Sequence, residues 1–209
     1  MKFRRVFFGT AVAVFAFAGS VQAAVLSLTG PGTAGTLTAN FDLTAETGLL
    51  NNGTQAITIF NTATPGGLQL TGSASDIRFE FLGFEANFAN TFEFPSTTTV
   101  FDGSTPLNTI STALAVPTGL LDFVFTTTGI GGSATNGGPF GGSLSIAFAD
   151  LGDGSFIALF GDGLGDNDHD DFAVKISAVP LPPAIWLLLS AILGLVSFGR
   201  QRRKRLQAA

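Results

Sequence analysis

The 209-residue sequence has no cysteine and no tyrosine, one histidine (His169) and one tryptophan (Trp186). Without cysteine there is no disulfide, no thiol nucleophile and no thiolate-held zinc. An exported domain of this sequence must then be held by burial, strand pairing or a metal on other ligands. A lone histidine with no Gly-x-Ser-x-Gly elbow argues against a Ser-His-Asp hydrolase. Positive charge is scarce in the middle of the chain: between Arg5 and Arg200 the only cations are Arg78 and Lys175. All fifteen acids fall between Asp42 and Asp171, so residues 24–178 carry two cations against fifteen acids, a net charge of -13. The overall charge of -5 averages three differently charged regions, and the acidic middle would repel nucleic acid.

Both ends differ from this middle. Residues 1–23 read as a secretory signal: Lys2, Arg4 and Arg5, an apolar run over 6–18, then Val21-Gln22-Ala23 with small residues where signal peptidase cuts. Cleavage is expected after Ala23. A retained membrane helix is the weaker reading, because the run is short and ends in Gly19-Ser20. At the other end residues 179–199 hold no charge, and at about 1.5 Å per residue the part after the prolines covers most of a ~30 Å hydrocarbon core. Pro182 and Pro183 suit the first turn of a helix, and Trp186 suits an interfacial anchor. The following Arg200, Arg202, Arg203, Lys204 and Arg205 are expected to stay cytoplasmic as a membrane stop signal, leaving the acidic domain outside. A buried core helix with a basic tail is the alternative, disfavoured by the lack of any polar face.

Val179-Pro180-Leu181-Pro182, then Ala184-Ile185-Trp186-Leu187-Leu188, Gly194-Leu195 and the arginine-rich end together resemble the PEP-CTERM class of bacterial sorting signals, in its VPLPA-type variant. The sequence departs from the commonest pattern by carrying Pro183 where alanine is usual. The resemblance covers about the last thirty residues. It implies that an exosortase, a membrane-embedded transpeptidase-like enzyme, recognises the sorting motif Val179, Pro180, Leu181, Pro182, Pro183 and Ala184 and cuts near it, releasing or re-anchoring the cargo.

Between the ends the pattern is that of strands. Leu37, Ala39, Phe41 and Leu43 alternate onto one face, as do Leu144, Ile146 and Phe148, and Phe172, Val174 and Ile176. Ile77, Phe79 and Phe81 are followed by Phe84, Ala86 and Phe88, a slip of phase at Gly83 that a β-bulge or bend would produce. Asn52-Gly53 and Asn136-Gly137 are turn signals, the second within the loop-like GIGGSATNGGPFGG. The expected architecture is all-β: an antiparallel β-sandwich or jelly-roll-like domain over 24–178, preceded by the signal helix (1–23) and followed by the sorting segment with its transmembrane helix (179–209). The twenty-two phenylalanines supply large apolar area without a polar tip, which fits core better than a sugar-binding platform.

One cluster has the chemistry of a metal site. GDGLGDNDHDDF holds Asp162, Asp166, Asp168, Asp170 and Asp171 among glycine and asparagine. Such crowding is relieved either by solvent or by a cation. Oxygen-rich turns of this kind wrap calcium, and Asp162, Asp166, Asp168 and Asp170 are the candidate ligands. An EF-hand is absent, since Asp171 and Ser177 stand where its glycine and glutamate are required. Glu80, Glu85 and Glu93 could pair as glycosidase carboxylates, but alternation sends Glu80 and Glu85 outward.

These features lead to the expectation of a non-catalytic exported protein of a Gram-negative envelope, cell surface or biofilm matrix. Its partners would be signal peptidase, exosortase and, transiently, the inner membrane. The alternative is a carbohydrate-binding or carbohydrate-cleaving module acting on exopolysaccharide; exposed phenylalanines beside paired glutamates would favour it, and buried phenylalanines the first.

Overall fold

The computed structural model describes residues 22–38, 49–50, 53–85, 88–97, 99–129, 131–163 and 168–179. Ala39, Phe41, Leu43, Ala86 and Asp166 lie outside the described residues, as do most of the signal, the motif from Pro180 onward, and the apolar and basic tail. Fourteen strands are found among the described residues: β1 (Val25–Thr29), β2 (Thr33–Thr36), β3 (Ala56–Phe60), β4 (Gly67–Thr71), β5 (Ser75–Gly83), β6 (Asn90–Phe94), β7 (Thr99–Asp102), β8 (Ile110–Val116), β9 (Gly119–Leu120), β10 (Val124–Thr127), β11 (Gly132–Thr135), β12 (Ser145–Asp150), β13 (Ser155–Gly161) and β14 (Phe172–Val179).

They form a seven-stranded sheet, β2-β3-β12-β13-β14-β5-β8, a four-stranded sheet, β11-β10-β6-β7, and a three-stranded sheet, β1-β4-β9. Every pairing is antiparallel. Alternation explains how the sheets meet. β5 sends Ile77, Phe79 and Phe81 to the same core as Phe172, Val174 and Ile176 of β14, and as Leu144 with Ile146 and Phe148 of β12. Against them stand Phe92 and Phe94 of β6, Phe125 of β10, and Leu68 and Leu70 of β4. One core thus draws on all three sheets, a sandwich-like arrangement. Phe92 is its hub, with ring centroids 5.4 Å from Phe79, 5.4 Å from Phe123 and 5.2 Å from Phe125. Every described phenylalanine except Phe84 and Phe88 is buried.

A second apolar cluster lies on the back of the seven-stranded sheet, where Ala147, Ala149, Ile157, Leu159 and Ala173 pack with Leu37, Leu50 and Leu82. β13 is therefore buried at all its positions, which accounts for the unbroken apolar run Phe156-Ile157-Ala158-Leu159-Phe160.

Two expectations are corrected. Phe84 and Phe88 do not continue the inward face of β5 but are 38% and 42% exposed. The irregularity itself sits where the phase slips: Gly83 pairs with Ala173 but Phe81 with Val174, leaving Leu82 as the extra residue. The strand ends there, so the residues beyond it no longer follow its alternation. In addition, the glycine-rich stretch read as a loop contains β11, paired with β10.

Candidate functional site

In the connection from β13 to β14 the described residues Asp162, Asp168, His169 and Asp170 are buried. The base of this connection is closed by the Asp162 N–H, which donates to Asp171 Oδ2 at 2.6 Å. Gly161 makes the close approach feasible, since a Cβ there would lie 2.9 Å from Ser145 Oγ and 3.0 Å from the Asp168 carbonyl oxygen. The register then brings in a residue from elsewhere in the chain. With Gly83 opposite Ala173, the segment after β5 runs beside the segment before β14, and the Glu85 N–H donates to the Asp170 carbonyl oxygen at 3.2 Å. Carboxylate oxygens of Glu85, Asp168 and Asp170 consequently lie within 4.8 Å of one another.

Asp168 and Asp170 are 6% and 0% exposed, and Asp162 is 2% exposed. These three aspartates are therefore not solvated, while Asp171 is half-buried. Of the four candidate calcium ligands, the fold brings together Asp168 and Asp170; Asp162 is buried nearby in the chain without joining that trio, and Asp166 lies outside the described residues. Glu85 is the member that sequence reasoning missed, because alternation along β5 says only that it points outward and not what it meets. An all-oxygen, carboxylate-rich set of this kind suits a hard divalent cation.

His169, between the two buried aspartates, is itself 6% exposed. Burial pushes its imidazole down to about 4, against the opposing pull of the Asp170 charge, so the ring is neutral at neutral pH. Its Nε2 lies 3.0 Å from Ser145 Oγ. That is the spacing of a nucleophile and its base, but the ring is buried. The pair reads as a hydrogen bond that satisfies two inward-facing polar groups.

Two further features bear on function. The two cations of the acidic domain converge on neighbouring strands, where Arg78, Glu80, Lys175, Asp153, Ser155 and Ser177 line a hollow of about 270 Å³. Arg78 pairs with Glu80 at 3.3 Å, and the Ser155 hydroxyl and N–H hold the Asp153 carboxyl below the usual range, with Lys175 adding to this. A larger hollow of about 510 Å³ lies along Leu26, Leu28, Ile57, Phe148, Asp150 and Phe156, but its two aromatic rings are buried at 1% and 5% exposure and offer no stacking face. Among the described residues no helix is long and apolar enough to cross a membrane. Compared with protein-family models, curated proteins and solved structures, the chain finds no match in any of the three.

Proposed function

We propose that this chain is a non-catalytic, exported β-sandwich protein of a bacterial envelope or biofilm matrix. It is delivered through its N-terminal signal and processed at its C-terminal motif by an exosortase. The observation that supports the reading is where the described strands begin and end. β1 opens at Val25, two residues past the expected signal cleavage, and β14 closes at Val179, the first residue of the motif. Removing both tails would take none of the fourteen described strands. The phenylalanines support the same reading over a carbohydrate module, because all the described ones but Phe84 and Phe88 are buried as core rather than set out as a platform for exopolysaccharide.

Calcium belongs to the proposal through the acidic corner. Two buried carboxylates, Asp168 and Asp170, gathered within 4.8 Å of the exposed Glu85 repel one another, and a divalent ion bridging the two connections would turn that repulsion into a fastening.

The motif is tested by replacing Pro180, Leu181 and Pro182 with alanine in an exosortase-bearing host. The variant should accumulate as precursor in the inner membrane while the parent is released. Equal release of both would remove the motif from the account.

A further inference from the structure

The last strand carries a device that bears on where the chain can be cut. β14 lies between β13 and β5, but the two neighbours do not reach equally far. Pairing with β13 ends at Ser177, opposite Ser155, whereas pairing with β5 continues through Ala178 to Val179, opposite Asp76. The final two residues of the strand therefore have a ladder partner on one side only. At that point a side chain takes over. Ser75, 1% exposed, places its Oγ 2.7 Å from the carbonyl oxygen of Val179. The same hydroxyl is 3.3 Å from the Asp76 carbonyl oxygen, and its single proton serves the shorter contact.

The Val179 carbonyl is the acyl group of the Val179–Pro180 peptide bond. An enzyme that cleaves this bond must add a nucleophile to that carbon and turn the oxygen toward its own donors as the oxyanion forms. It must also hold the residues before the bond in an extended groove, and those residues are strand positions in a sheet. We propose that Ser75 acts as a latch that withdraws the Val179–Pro180 bond from cleavage in the folded domain, so that the first peptide open to attack lies beyond Pro180. What this means for maturation rests on the processing proposed above: folding, and not enzyme preference alone, would set the N-terminal limit of the cut, and the released domain would keep Val179 with at least Pro180 attached.

The test uses the full chain in detergent carrying Pro180→Ala, so that the bond under study is an ordinary secondary amide. Digestion with proteinase K is followed by mass spectrometry of the product ending at Val179, in folded samples and in samples unfolded with urea. The folded chain should yield this product far more slowly than the unfolded one. Adding Ser75→Ala should accelerate it about tenfold, the scale of one well-made buried hydrogen bond, while leaving hydrogen-exchange protection of β13 unchanged. Equal rates in the folded and unfolded parent would overturn the latch, and so would a Ser75→Ala rate equal to the parent's. If Ser75→Ala fails to fold, the parent's folded-to-unfolded ratio still decides. Recovery of an uncut chain from the host would instead count against processing, leaving the digestion result intact.

Discussion

Asn136 joins two segments of backbone with one amide. Its Oδ1 accepts from the Leu68 N–H at 2.8 Å, and its Nδ2 donates to the carbonyl oxygens of Leu68 and Leu121, both at 2.7 Å. At 5% exposure it satisfies β4 where no strand residue is available to do so. Gly67 is the condition for this, because a Cβ there would lie 2.0 Å from Asn136 Oδ1. Asn136→Ala removes the partner of the Leu68 N–H and of the Leu121 carbonyl, while the Leu68 carbonyl keeps the Leu121 N–H at 3.1 Å, and urea unfolding should show a loss of about 2–4 kcal/mol. Gly67→Ala should cost a similar amount by pushing the amide away, and the double variant should lose much less than the two losses added together. A neutral Gly67→Ala would show that the amide can shift without cost. In the sequence Asn136-Gly137 is a turn signal and nothing more. The turn is there, with Gly137 at a φ of 88°, but the side chain's long-range role depends on β4, which is far away in the chain.

At the scale of elements, the connection between β13 and β14 decides whether the acidic corner is a metal site or a strained cluster. The calcium account expects the melting temperature of the full chain in detergent to rise in millimolar calcium relative to EDTA. At about 100 times a dissociation constant of roughly 10⁻⁴ to 10⁻³ M the gain would approach ~2.7 kcal/mol. Glu85→Gln and Asp168→Asn should each shrink the response; an unchanged wild-type midpoint, or an equal rise in both variants, would contradict calcium binding there. Strand positions in this region were legible in advance. Phe172, Val174 and Ile176 alternate because one face of β14 meets the phenylalanine core, and Leu144, Ile146 and Phe148 do so for the same reason. The aspartates stood out through their spacing. Their burial did not, because it depends on the connection folding back over Gly161 toward β12 and on β5 delivering Glu85. Both are consequences of sheet order, which local periodicity does not encode. Phe84 and Phe88 misled for a related reason: a periodic pattern continues past the bulge, but the strand does not.

At the scale of the whole molecule, the first and last described strands have their outer ends on one side of the domain. Val25 of β1 pairs with Thr71 of β4, and Val179 of β14 pairs with Asp76 of β5. The short β4–β5 connection adjoins both junctions: a Cβ on Gly72 would lie 2.2 Å from the Ala23 carbonyl oxygen, and Ser75 holds the Val179 carbonyl. Ala23 and Val179 therefore lie at one pole of the domain, which suits the proposed precursor, tethered at both ends while its sheets are complete. The charge distribution suits such a course, with cations confined to the tails apart from Arg78 and Lys175, and a domain of net charge -13 between them. Under the proposed processing, the acidic domain that remains would favour a dispersed product over one that clings to anionic lipid or nucleic acid.

The central claim, that the folded β-domain is what survives removal of both tails, is tested most directly by the intact mass of the protein recovered from the medium and membranes of its native host. The account predicts a chain that begins at Ala24, retains Val179 with at least Pro180, and ends before the apolar segment that follows Ala184. A released protein that still ends in Ala209, or one that has lost residues of β14, would contradict it.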